Sequence, residues 1–204
     1  CSSDLEFEYD INDTLWLTID RRSRMLATTF LKCFGYIERE EILDLFYTRE
    51  TAKIGRTKVK IGSKSIDPEA LIGRILGLDA IDPETGEVIF EACDEITEVS
   101  LEKLLASKIK EIDLLEADQI NADSSLAHTL RQDLTITQED AYREVYARIR
   151  PGDPATDVTT RTFFQRLFFD PSRYDFAPVG RYKINRKLGL TIDQEIKTIV
   201  KEDI

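Results

Sequence analysis

"TQEDAYREVYARIRPGDPATDVTTRTFFQRLFF" runs from Thr137 to Phe169, and its reading decides the fold class. It opens with Thr-x-x-Asp, the spacing at which a threonine hydroxyl caps the amide three residues on. Behind it, Ala141, Val145 and Ile149 recur at helical intervals beside Tyr142 and Tyr146. Pro151-Gly152 stops that helix, because proline restricts the residue before it and offers no amide hydrogen. A second helix is expected from about Asp157 to Phe169, with Phe163, Phe164, Leu167 and Phe168 apolar. Two helices meeting at a rigid corner predict a helical layer with phenylalanine in its core.

The start of the chain has the other period. "LEFEYD" and "TLWLTID" alternate in twos around Asn12-Asp13, which predicts a hairpin with Leu5, Phe7 and Tyr9 on one face. A helix is expected over Met25 to Phe34, with Leu26, Thr29, Phe30 and Cys33 on one face and Gly35 as its stop. A shorter one follows from Glu38 to about Phe46, with Ile42, Leu45 and Phe46 inward. Thr51 to Gly62 reads as a strand or short hairpin with Lys53, Arg56, Lys58 and Lys60. Lys58 and Lys60 alternate with Val59 and Ile61, which favours a solvated face over a phosphate site.

"DPETGEV" is a turn, with Gly86 free to take a positive φ. Strand "EVIFEA", a helix over Ser100 to Ser107 and strand "IKEIDLLE" follow. "DPSRYDFAPVG" reads as a loop before "RYKINRKL". The fold class is therefore α+β, with helices packed on small antiparallel sheets and an inserted β-rich subdomain. Three parts are expected: residues 1–47 (hairpin and two helices), an acidic insert over 48–118, and a helical return over 119–204.

Composition narrows the function. With 204 residues there is enough chain for a sizeable core, and a mean hydropathy of −0.30 fits a soluble globular protein. The formal net charge is −11, which taken alone argues against a free-standing nucleic-acid binder. Cys1, Cys33 and Cys93 form no CxxC pair, so reduced thiols are expected. No apolar run is long enough to span a bilayer. The opening residues lack the basic and apolar regions of a signal peptide, and there is no initiator Met. We expect a piece cut from a longer polypeptide.

No catalytic frame is visible. His128 is the sole histidine, in "SSLAHTL" without a nucleophile elbow, and reads as a helix-surface or capping residue. There is no glycine-rich phosphate loop and no metal-ligand spacing. Two other features carry charge chemistry. From Arg161 to Lys187 there are seven basic residues and two acids, with phenylalanines that read as core. Arg150 precedes the Pro-Gly corner, where its planar fork either meets a base edge or phosphate or caps its own helix carbonyls. In "IDRRSR", Asp20 is either a surface ion-pair partner of the arginines or an acceptor for a base amino group.

Taken in order, "LEFEYDINDTLWLTIDRRSRMLATTFLKCFGY", "ILDLFY", "DPETGEVI", "HTLRQDLTITQEDAYREVYARIRPGDP" and "LFFDPSRYDFAPVGRYKINRKL" closely resemble the β subunit of bacterial DNA-directed RNA polymerase. The resemblance covers essentially the whole chain and is weakest over residues 50–120. It implies a lobe domain that forms one jaw of the downstream DNA cleft and contacts the non-template strand. It implies cytoplasmic nucleotidyl transfer by a complex with α, β′, ω and σ, in which Mg²⁺ is held by acids of β′ and this chain supplies no catalytic residue, metal ligand or cofactor of its own. By matching motif, Asp20 would accept from an unstacked guanine, Arg150 would line the same pocket and Arg22 would lie close by. Arg181, Lys183 and Arg186 would belong to the cleft-side framework. The family's "RGSWL" stands here as "CSSDL", so Asp4 replaces a tryptophan that stacks on a neighbouring base. The alternatives are a free-standing acidic interaction protein, or a small hydrolase using His128.

Overall fold

The computed structural model describes residues 5–55, 57–116, 124–172 and 175–203. Asp4 and Arg56 therefore lie outside the described residues.

The expected hairpin is present, and it has a third strand. Strands β1 (Leu5–Tyr9), β2 (Leu15–Ile19) and β3 (Ser23–Leu26) form an antiparallel sheet in that order. Leu5, Phe7 and Tyr9 stand opposite Ile19, Leu17 and Leu15, so all six share one face. Leu17 and Ile19 are buried there, but Phe7 and Tyr9 on the edge strand stay 57% and 61% exposed. β3 corrects the expected helix start at Met25: pairing with β2 holds Met25 and Leu26 extended. Helix α1 is Ala27–Cys33, every residue of it buried, and Gly35 follows at φ 95°.

Helix α2 (Arg39–Phe46) buries Ile42 and Leu43. Leu45 and Phe46, expected inward, are 41% and 55% exposed, because the buried stripe is turned by one residue. A second sheet has the order β6-β5-β4-β9, with β4 Arg49–Ile54, β5 Val59–Ile61, β6 Lys64–Ile66 and β9 Glu111–Leu115. A two-stranded ribbon, β7 (Ala80–Ile81) and β8 (Val88–Phe90), flanks the expected turn. In that turn Asp82 accepts the Glu84 amide at 2.8 Å and Gly86 has φ 72°. Helix α3 (Glu98–Ala106) starts earlier than expected, capped by Thr97 with Ser100.

Helix α4 (Ser125–Gln132) leads to α5 (Gln138–Ile149) and α6 (Asp157–Phe168), the pair expected from the opening stretch. Thr137 and Asp140 form the expected reciprocal cap, and Thr156 with Thr159 forms another. Phe30, Phe34, Phe164 and Phe168 pack together, with ring centroids 5.0 Å apart in the edge-on Phe30–Phe34 pair and in the tilted Phe164–Phe168 pair. "APVGRYKINRKL" is one helix, α7 (Ala177–Leu188), with its proline in the first turn, where the missing amide costs nothing. This corrects the longer loop expected there. Among the described residues after α7, the C-terminal segment has a short 3₁₀ turn at Lys201–Asp203.

Among the described residues, apolar burial forms three clusters. One joins the first sheet, α1, α5 and α6. Another lies within residues 52–114. Between them, Leu31, Ile42, Leu43, Cys93, Leu115 and Leu130 form a junction core. At its edge Lys32 and Asp133 form a buried ion pair at 3.3 Å, with Thr28 donating to Asp133 at 2.7 Å.

Candidate nucleic-acid interface

The turn from β2 to β3 carries "DRR". Asp20 and Arg21 both have positive φ, 51° and 59°, and Arg22 N–H donates to Ile19 O at 3.2 Å. Consecutive left-handed non-glycine residues are costly, and aspartate tolerates the conformation better than most. The arginines around it divide by partner. Arg21 lies 3.9 Å from Glu6; Arg24 lies 3.2 Å from Glu8 and stacks over Trp16. Asp20 and Arg22 are exposed, and none of the described residues hydrogen-bonds or ion-pairs with either side chain. The turn thus offers solvent one acceptor-only carboxylate and one five-donor fork.

The α5–α6 corner is clamped at its base. Arg143 reaches Asp140 at 2.9 Å and Asp157 at 2.7 Å, while Arg161 reaches Glu139 at 2.6 Å. Above these ties lies an open groove of about 740 Å³ lined by Tyr146, Arg150, Thr159, Thr162, Phe163 and Arg166, with Val158 and Leu167. Tyr146 and Phe163 meet edge-on with centroids 5.2 Å apart, and the Arg150 guanidinium lies 5.7 Å from the Phe163 centroid. No carboxylate of the described residues lines the groove. Its aromatic wall and two guanidinium groups suit an unstacked base with its phosphate. Of the two readings of Arg150, the geometry favours the outward one: its backbone amide caps the helix by donating to Tyr146 O, while the side chain lies over Phe163.

Turn and groove are mounted on one core, since Ile19 is buried in the cluster against which Ile149 packs. No hydrogen bond or ion pair joins Asp20 to Arg150. Lys183 and Arg186 are exposed on α7, outside the groove lining. Arg181 needs correction: it is 0% exposed. It donates to Ile196 O at 2.8 Å, to Asp203 at 2.5 Å and to Thr198 O, fastening the C-terminal segment to α7. It is internal scaffold and presents no surface to a ligand.

Arg166 and Tyr146 carry the groove without having been singled out from the sequence, and Phe163, read as core, is half-buried on its wall. The signal was present: Thr160, Phe164 and Phe168 form the buried stripe at intervals of four, which turns Phe163 and Arg166 aside. His128 is half-buried on α4. The described residues contain no group of three or more His, Cys, Asp or Glu able to hold a metal ion.

Residues 93–204, more than half of the chain, match the model of RNA polymerase Rpb2, domain 2. The chain belongs to that family. The Rpb2 domain 2 match contains the whole groove but begins after the "DRR" turn. Relatives extend the likeness upstream. DNA-directed RNA polymerase subunit beta of Sorangium cellulosum is 35% identical over 235 residues, covering 94% of this chain and 17% of the relative. The Fusobacterium nucleatum subunit beta is 38% identical over 210 residues, covering 98% and 17%. That of Protochlamydia amoebophila is 36% identical over 206 residues, covering 98% and 16%. In each case too few residues are left unmatched to exclude Asp20. This Rpb2 domain 2 chain spans about one sixth of the length of the curated relatives it matches.

Proposed function

We propose that the chain is the lobe of a DNA-directed RNA polymerase β subunit, lining the downstream DNA cleft and contacting the non-template strand. It would work in the cytoplasm with α, β′, ω and σ, and β′ would hold the Mg²⁺ that stabilises the charge developing during nucleotidyl transfer. This chain then contributes positioning, through Arg150 and the Asp20–Arg22 turn, with Lys183 and Arg186 facing the cleft. The block 48–118 is read as an insert, in keeping with the separate core inside it.

The observation that carries the reading is the groove: two arginines and two aromatic rings with no carboxylate, in a chain of net charge −11. The test places Arg150→Ala and Asp20→Asn in the assembled enzyme. Asparagine keeps the left-handed turn and removes only the charge. Losing one base contact is worth roughly 1–3 kcal/mol, so each open complex should decay about tenfold faster on templates with a non-template guanine at the site. Lifetimes equal to the parent's on those templates would refute the assignment.

A further inference from the structure

The second sheet has a feature that the groove does not use. Residues 49–66 contain six Arg or Lys and a single acid, Glu50, in a chain of net charge −11. Lys53 on β4 stands directly opposite Lys60 on β5. Like charges so placed repel. Lys53 is relieved by Glu111 at 3.1 Å on the next strand. Among the described residues no carboxylate pairs with Lys58, Lys60 or Lys64, and all three are exposed. A shallow groove of about 510 Å³ is bordered by Thr51, Lys53, Lys60, Ser63 and Lys64 at the β5–β6 hairpin. Glu50 also borders it, and is held by Arg74.

We propose that Lys53 and Lys60 on the outer face of β4 and β5, with Lys58 just before β5 and Lys64 at the edge of the hairpin, dock the phosphate backbone of duplex DNA, at a site separate from the Arg150 groove. The chemistry chooses the occupant. Protein interfaces are enriched in aromatic residues and arginine and depleted in lysine. No aromatic ring borders this groove, so stacked single-stranded bases have no platform. Ammonium groups are point charges suited to phosphate oxygens, and Ser63 adds a hydroxyl donor, whereas the Thr51 hydroxyl donates to Asp113 at 2.6 Å. An anion between Lys53 and Lys60 also removes their mutual repulsion. The contact is independent of sequence, because it reads no base edge.

The test compares two charge-matched variants in the assembled polymerase: Lys58→Gln/Lys60→Gln/Lys64→Gln, and Lys103→Gln/Lys108→Gln/Lys110→Gln. Both alter exposed lysines, so folding is not at issue. The readout is the slope of log affinity against log salt for a long DNA duplex. Each phosphate contact contributes about 0.9 to that slope, so the first variant should lose roughly 2–3 while the second keeps the parent's value. Equal slopes for the two variants overturn the proposal, and equal slopes with weakened binding of polyglutamate assign the face to an acidic protein instead. The comparison is indifferent to bases in the Arg150 groove. If Arg150→Ala leaves open complexes unchanged while the slopes still differ, the groove assignment falls and this one stands.

Discussion

Asp20 and Arg21 show how one turn can be both strained and useful. Their positive φ values close the β2–β3 turn with Asp20 facing solvent and Arg21 turned towards Glu6, at a conformational cost that β-branched residues meet in full. Asp20→Val should therefore lower stability by about 1–2 kcal/mol, whereas Asp20→Gly should leave it level or raise it. Urea midpoints of the two variants decide this; a valine variant as stable as the parent would mean that the turn relaxes. At this scale sequence was a partial guide. "IDRR" marks a charged turn, but nothing in "GRYKINRKL" shows that Arg181 is buried. Its partners, Ile196, Thr198 and Asp203, lie 15 to 22 residues further on, beyond the reach of local periodicity. Cys33 was legible as a core thiol from its place on the α1 face, whereas the burial of Cys93 was not. Burial pushes both up, Cys93 to about 12, so neither forms a reactive thiolate near neutral pH.

Among elements, those with both a start signal and a period were legible. α5 had Thr137, Asp140 and an apolar stripe, and it lies where expected. α3 and α6 start on threonines whose reciprocal partners are Ser100 and Thr159, hydroxyls in place of the usual acid or amide, so their caps went unread. β3 was missed because Met25 and Leu26 satisfy either period, and only pairing with β2 selects the strand. The α5 cap also ties stability to pH. Hydrogen bonds from the Thr137 hydroxyl and amide hold the Asp140 carboxyl below its ordinary range, with help from Arg143. A depressed folded value means that this stabilisation is present above the unfolded value and is lost as pH falls through the folded one. Thr137→Ala should cost about 1 kcal/mol near neutral pH, and the gap to the parent should narrow as Asp140 becomes protonated, leaving the share due to the Asp140 amide that donates to the Thr137 hydroxyl. Denaturation at about pH 7 and about pH 3 measures it; a gap that stays constant would place the whole loss in that amide bond and none in the hydroxyl's bond to the carboxylate.

For the molecule as a whole, average charge misleads and connectivity decides. The net charge of −11 coexists with a groove lined by no carboxylate of the described residues and with a cluster of exposed lysines, because a mean over the chain says nothing of where the charges stand. What holds those surfaces in one body is the junction core, where Leu31, Leu43, Leu115 and Leu130 come from four separate elements or their flanks. Leu15 and Tyr36 pack against this core and against the first one, so loosening the junction should free the N-terminal sheet from the second sheet. The single tryptophan, Trp16 on β2, reports the first sheet alone, whereas far-UV ellipticity reports all helices. In the parent the two signals should fall together in urea, as one cooperative unit requires. Leu43 is 0% exposed, so Leu43→Ala should cost about 2–5 kcal/mol and part the two transitions. Transitions that still coincide in the variant would show that the rest of the junction core holds the two sheets together without the leucine, on a first sheet already tied to α4 by the Leu15 amide donating to Thr129 at 2.8 Å.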